Sequence, residues 1–330
     1  MKNFSNMLFY SLLMMSTMII VSSSNWINMW IGMEVNLMSF IPILFKHKNN
    51  SMSEASMIYF MAQSMGSIMF LTSTMMSFMF LTKIYNEISQ TFMLMSLMIK
   101  LGAAPFQIWL TMVSSKISWI NIILLSTWQK IGPMSIITVM SQPQPTMNMY
   151  IIMSAIIGAM GSLNFSSMKL IMIYSSINHM SWMMASIKYS DTIWYMYMLI
   201  YTMIVTQLML MLKNNQIKNI NQIVFKKETK INKMMITIMM MSMGGLPPLM
   251  GFWMKISVIF ILVKNLDLMN LMVLLMSSML MLFIYLRSTA TLMLMQNQNL
   301  KTKNSTSPNK MSLLLFTNFM FILTMSISLM

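Results

Sequence analysis

The 330-residue chain has no cysteine, two histidines and six acidic residues. Without cysteine it can hold no disulfide, no thiolate zinc site and no iron–sulfur cluster. Two histidines, His47 and His179, fall short of the ligands that two haems need, which argues against a cytochrome b-like role. A phosphate-binding Gly-rich loop, an HExxH pair and a dinucleotide-binding glycine fingerprint in a strand–turn–helix setting are all missing. Charged residues make up 8% of the chain, where a soluble chain needs roughly a quarter. The acids are too few, and lysine too poor a ligand, for a hard-cation site. The sequence implies no cofactor, no metal and no nucleic acid.

Hydrophobic residues make up 57% of the chain. They are arranged in runs near the ~20 residues that cross a bilayer as a helix. The fold class expected is an all-α polytopic membrane protein, one membrane domain over 1–330. Eleven spans are expected, at about 4–23, 25–44, 57–82, 91–113, 119–140, 147–164, 169–187, 192–212, 234–263, 268–295 and 311–329. Their connections decide sidedness. With the N-terminus on one side, that side receives fourteen basic residues, six of them in the polar loop 213–233. The other side receives Lys83, Lys188 and Lys264, each near an acid in sequence (Glu87, Asp191, Asp267). By the positive-inside rule the basic side is the matrix or cytoplasm, so the net charge of +15 needs no nucleic acid to explain it. The 55 methionines, with abundant Ile, Asn and Ser, resemble the product of an AT-rich animal mitochondrial genome.

Four basic residues fall inside spans: Lys100, Lys130, Lys255 and Arg287. Arg287 is near enough to a span end to snorkel. The three lysines lie deep, as do Glu34 in IGMEVNLMSF and His179 in YSSINHMSWM. A membrane lysine can simply hydrogen-bond backbone carbonyls, and a lone histidine is as often a packing residue as a working one. Each mid-bilayer charge nevertheless costs ~2.5–3.5 kcal/mol even on the lenient insertion scale. Proton transfer suits such groups, because desolvation loosens a lysine's hold on its proton and a nearby carboxylate restores it.

Two spans carry matched breakers, in KLGAAPFQIWL (100–110) and GGLPPLMGFWMK (244–255). Breaks are expected at 101–105 and 244–248, each the fourth span of a five-span block. A block of five spans has odd parity, so the two blocks, 1–140 and 147–295, run in opposite senses; 311–330 follows as a final helix. Gly/Pro-interrupted spans in corresponding places of inverted repeats point to a transport site. The freed backbone groups can hold a cation only where protein or water satisfies them.

The ordered set IGMEVNL, KLGAAPFQIWL, STWQKIGP and GGLPPLMGFWMK resembles the antiporter-like membrane subunits of respiratory complex I. The resemblance implies two inverted five-helix repeats with a discontinuous helix in each, lacking three N-terminal helices of bacterial relatives. It implies a proton relay of Glu34 paired with Lys100, then Lys130, His179 and Lys255, with electrons carried by other subunits. It implies the mitochondrial inner membrane, the C-terminus in the intermembrane space, and as partners the family's antiporter-like subunit 4, subunit 4L, accessory subunits and lipids such as cardiolipin. The chain departs from the family in lacking an acid after the tryptophan of the first broken helix, where it reads WLTMVSSK. The residues by themselves leave three other readings open: a stand-alone cation/proton antiporter, a non-conducting scaffold and a small-molecule transporter.

Overall fold

A computed structural model of the chain describes residues 2–45, 50–79, 83–140, 144–220, 222 and 230–296. The expected final span, most of the 213–233 loop beyond 220, and His47 lie outside the described residues. Regular structure among the described residues is helical: α1 Lys2–Ser22, α2 Trp26–Leu44, α3 Asn50–Met79, α4 Lys83–Leu101, α5 Ile108–Lys116, α6 Trp119–Ser126, α7 Trp128–Val139, α8 Gln144–Leu163, α9 Met168–Ile187, α10 Asp191–Asn214, α11 Lys230–Gly244, α12 Met250–Lys264 and α13 Leu268–Gln296. A lone antiparallel bridge, Ser167 with Asn219, is the exception.

Among the described residues five stretches are long and apolar enough to cross a bilayer: Trp26–Leu44, Trp119–Val139, Pro145–Leu163, Asp191–Asn214 and Leu268–Ala290. The third and fourth helices begin earlier than their apolar runs, at Asn50 and Lys83 rather than 57 and 91. Polar residues at those ends continue the helix past its apolar length, which hydrophobicity alone cannot register. The fifth span, expected as one helix, is interrupted at Thr127 (φ −115°, ψ −73°). Pro133 lies inside α7, and its missing N–H leaves the Gln129 carbonyl without its helical donor, a recurrent cause of kinks.

The helices pack in two sets with one pairing pattern. The first helix of each set (α1, α8) contacts the second (α2, α9) and the last (α7, α13). The second contacts the third (α3, α10), and the third contacts both pieces of the broken fourth. The centre belongs to α9, with seventeen of its twenty residues buried. Its fit against α8 requires glycine at 158, where a Cβ would come within 2.7 Å of the Asn178 backbone nitrogen. The α9 serines are tolerated at depth because their hydroxyls donate to carbonyls one turn back, as Ser175 does to Met172 (2.8 Å) and Ser176 to Ile173 (2.7 Å).

Candidate functional site

The two breaks share one backbone. In the first, Gly102 takes φ +65° directly after α4, Gly102 N–H donates to the Ile99 carbonyl (3.1 Å) and Ala103 N–H to that of Met98 (3.1 Å). In the second, Gly245 takes φ +85° after α11, Gly245 N–H donates to Ser242 (3.1 Å) and Leu246 N–H to Met241 (3.3 Å). Both are the Schellman helix ending, which needs a left-handed residue and so favours glycine. A turn follows each, Phe106 N–H to Ala103 (2.7 Å) and Leu249 N–H to Leu246 (3.0 Å). The helix resumes at Ile108 and Met250, so the non-helical residues are 102–107 and 245–249, a little later than the composition placed them.

Carbonyls remain at the end of each first half-helix, and side chains take them up. In the first break Gln63 donates to the Lys100 carbonyl (2.9 Å) and the Trp109 indole to that of Ile99 (2.9 Å). In the second, the Lys255 ammonium donates to the Gly244 carbonyl (2.7 Å), while the His179 ring interacts with the Met243 backbone. Lys100 is in the last turn of α4. Each break therefore has a lysine beside it, but only the Lys255 ammonium sits at a half-helix carbonyl end, where the peptide dipoles favour a cation.

All three deep lysines and His179 are buried: Lys100 6% exposed, Lys130 2%, Lys255 7% and His179 3%. Lys130 donates to the Ser176 carbonyl on α9 (3.0 Å) and lies over the Tyr201 ring, 5.5 Å from its centroid. Lys255 lies 6.0 Å from the centroid of Trp182. His179 Nδ1 is 2.8 Å from the Tyr197 hydroxyl, with its ring centroid 5.2 Å from that of Tyr201. Lys130 and Lys255 are both within electrostatic reach of His179.

Glu34 and Lys100 form no ion pair within 4 Å. The Lys100 ammonium instead meets the Met33 thioether sulfur at 3.5 Å, and Glu34 acts on it through its field. A cavity of about 20 Å³ lies beside Lys100, lined by Asn36, Tyr59, Gln63, Gln129 and apolar side chains. That is room for about one water molecule. Gln129 bonds Asn36 (2.8 Å) and receives the Tyr59 hydroxyl (3.3 Å). The polar ring thus leads from Lys100 to the residue preceding Lys130.

The ends of α9 hold the connections that follow the two breaks. Lys169 donates to the Ile117 carbonyl after α5 (2.6 Å). Lys188 pairs with Asp267 after α12 (2.7 Å), their side chains 7% and 12% exposed. The neighbour of Lys188 in sequence, Asp191, is thus not its partner, because the fold brings the α12–α13 connection to the end of α9. Tyr189 and Asn270 also donate to Asp267 (2.7 and 2.9 Å), and Asn148 accepts from Lys188 (2.8 Å). Burial disfavours the Asp267 carboxylate, but the bonds from Lys188, Tyr189 and Asn270 outweigh it and hold its pKa below the ordinary value. Burial likewise disfavours the Lys188 ammonium, and Asp267 and Tyr189 together raise its pKa. Arg287 donates to the Leu163 carbonyl at the end of α8 (3.2 Å), a capping contact.

The family described as NADH:quinone oxidoreductase/Mrp antiporter, TM, matches residues 23–281. The chain belongs to this family. NADH-ubiquinone oxidoreductase chain 2 of Locusta migratoria is 38% identical over 279 residues, 83% of this chain and 81% of that one. The protein of the same name from Anopheles gambiae is 34% identical over 283 residues, 84% of this chain and 82% of its own. Among solved structures, a chain of respiratory complex I from Thermus thermophilus with bound aureothin superposes with a TM-score of 0.81 at 18% identity. That match covers 88% of this chain and 70% of the other; it shows the shared fold.

Within this NADH:quinone oxidoreductase/Mrp antiporter chain, uncharged groups that the charge pattern does not mark are joined to the deep charges. Gln63 and Trp109 cap the first break, Asn36, Tyr59 and Gln129 line the cavity, and Tyr197 and Tyr201 flank His179. Gln129 stood in the motif STWQKIGP, and Asn36 two residues after Glu34; both could have been flagged as amides deep in apolar spans. Trp109 likewise stood in KLGAAPFQIWL, whereas Gln63, Tyr59, Tyr197 and Tyr201 come from other helices and carried no local signal.

Proposed function

We propose that this chain is a proton-translocating subunit of the membrane arm of an NADH-ubiquinone oxidoreductase, with Glu34, Lys100, Lys130, His179 and Lys255 as its lateral relay. The observation that carries the reading is the pair of matched breaks, each with a buried lysine beside it, Lys100 in the last turn before the first and Lys255 on the carbonyl at the second, together with Lys130 buried against α9. Electrons pass through other subunits; this chain moves charge as protons. Glu34 favours the ammonium form of Lys100, and a weakening of that influence releases the proton through the polar ring toward Lys130. From there it passes by His179 to Lys255.

The reading includes two five-helix repeats of opposite topology. It is supported by the common packing pattern of the two sets and by α9, whose opposite ends grip the connections after the two breaks. It also includes the mitochondrial inner membrane, with the N-terminus and the 213–233 loop on the matrix side and the C-terminus in the intermembrane space. Its neighbours are the antiporter-like subunit 4, subunit 4L, accessory subunits and membrane lipids. The test is Lys100→Met in the assembled complex. Proton pumping and coupled NADH oxidation are expected to fall while the amount of assembled complex is kept. Native pumping in that variant would refute the relay.

A further inference from the structure

Two neighbouring helices, rather than a carboxylate, seat the Lys100 side chain. Its stem runs along Gly66 on α3, where a Cβ would come within 2.8 Å of the Lys100 Cγ and 3.3 Å of its Cε. Gln63, one turn earlier on α3, donates to the Lys100 carbonyl (2.9 Å). Backbone and stem are thus both held by α3. The ammonium that they aim reaches the thioether of Met33 on α2 (3.5 Å), a residue 5% exposed. Met33 and Lys100 line the same small cavity.

Sulfur is a poor partner for a buried ammonium. A thioether is a weak acceptor, whereas ammonium-to-oxygen bonds are among the strong ones. Oxygen acceptors stand around the same cavity, but they are engaged with one another. Gln129 Nε2 donates to Asn36 Oδ1 (2.8 Å), and the Tyr59 hydroxyl donates to Gln129 Oε1 (3.3 Å). Lys255 shows the other outcome. It too runs beside a glycine, Gly245, where a Cβ would lie 3.1 Å from its Cδ and 3.2 Å from its Cε. Yet its ammonium takes the Gly244 carbonyl at 2.7 Å. The seat of Lys100 ends on sulfur instead.

We propose that Met33 is a positioning residue for Lys100, ending its seat in sulfur so that the ammonium feels Glu34 without being bound to it. This rests on the lysine relay proposed above and explains how its first lysine stays able to give up a proton. An ammonium tied to a carboxylate or an amide oxygen is stabilised in its charged form. A thioether stabilises it far less, and the field of Glu34 alone weakens with distance. Gly66 and Gln63 fix the course of the stem, and Met33 decides what stands at its end.

The test uses the intact oxidoreductase in sealed vesicles, carrying Met33→Gln, Met33→Leu or, as a control, Lys100→Met. Glutamine is close to methionine in length and ends in an amide oxygen; leucine keeps an apolar wall and offers no acceptor. Met33→Gln is expected to slow coupled proton translocation about ten-fold, the size of shift that one hydrogen bond from a charged group produces. Met33→Leu, a swap that cores tolerate, should pump close to the native rate. If Lys100→Met abolishes pumping while Met33→Gln pumps natively, the positioning role is wrong and the relay stands. The role is equally wrong if Met33→Leu falls as far as Met33→Gln, because packing rather than acceptor chemistry would then be at work. If Lys100→Met pumps natively, the relay itself falls and the role with it. Should Met33→Gln fail to assemble, a high-resolution map of the native complex decides. The Met33 sulfur as the nearest acceptor of the Lys100 ammonium supports the role, and a direct Lys100–Glu34 ion pair overturns it.

Discussion

The two broken helices have the same backbone and different occupants. Each first half closes in a Schellman ending at a left-handed glycine, and each is followed by a turn between residues three apart. At the first break neutral donors, Gln63 and Trp109, take the carbonyls, and Lys100 extends from the half-helix toward Met33. At the second the lysine comes from the other half of the helix and takes a carbonyl itself, with His179 beside it. One backbone motif thus makes two sites of different character. In the first the ammonium is free of carbonyls and adjoins a cavity; in the second it is held by one.

The largest expected effects come from removing the ammonium at each break. Lys100→Met and Lys255→Met should each lower coupled proton translocation by about ten-fold or more, measured as protons moved per NADH oxidised in reconstituted vesicles. If only one of them did so, the breaks would be alike in backbone alone. The ends of the two sets differ as well. Asp267→Asn leaves the half-buried Lys188 ammonium without its counter-charge, which should cost about 1–3 kcal/mol, read as a lower melting temperature of the purified complex. No such loss is expected in Lys264→Gln, at the end of the preceding helix α12. The carboxyl of Asp267 has a depressed pKa, so its contribution is present above the ordinary carboxylate pKa of ~3.9 and lost only as pH falls through the depressed value. The Lys188 contribution, with a raised pKa, is complete below the ordinary lysine value of ~10.4 and lost as pH rises through the raised one. Melting of the native protein should therefore show no dependence on this pair between pH 6 and 8.

Smaller effects separate the breaks further. Alanine at either left-handed glycine should cost about 1–2 kcal/mol in backbone strain. At Gly245 the new Cβ would also lie 3.0 Å from the Lys255 ammonium nitrogen, and at Gly102 3.1 Å from Leu110 and Trp109 carbons. Gly245→Ala should thus reduce pumping beyond its loss of stability, whereas Gly102→Ala should reduce stability first. Equal pumping defects would erase that difference. Trp109→Phe removes one donor from the Ile99 carbonyl and should cost about 1 kcal/mol, with no change in pumping per assembled complex.

The breaks were legible in the sequence because backbone chemistry depends on residue type. Only glycine readily takes the left-handed ending, and proline cannot continue the hydrogen-bond ladder. The deep charges were legible because membranes make charge rare. The partners were not. Gln63 reaches Lys100 across thirty-seven positions, and Lys188 reaches Asp267 across seventy-nine, distances that no local pattern encodes. Nor did the motif IGMEVNL reveal that Met33, not Glu34, would touch the Lys100 ammonium. Helical phase sets that detail, since residues 33 and 34 point about 100° apart on one helix.

The central claim is that the two breaks act as one relay joined through Lys130. The most direct measurement is the number of protons moved per NADH oxidised by the purified complex carrying Lys130→Met in sealed vesicles. The relay predicts a ratio below that of the native complex with assembly intact. A native ratio would contradict it and leave Lys130 a buried lysine that merely caps the Ser176 carbonyl.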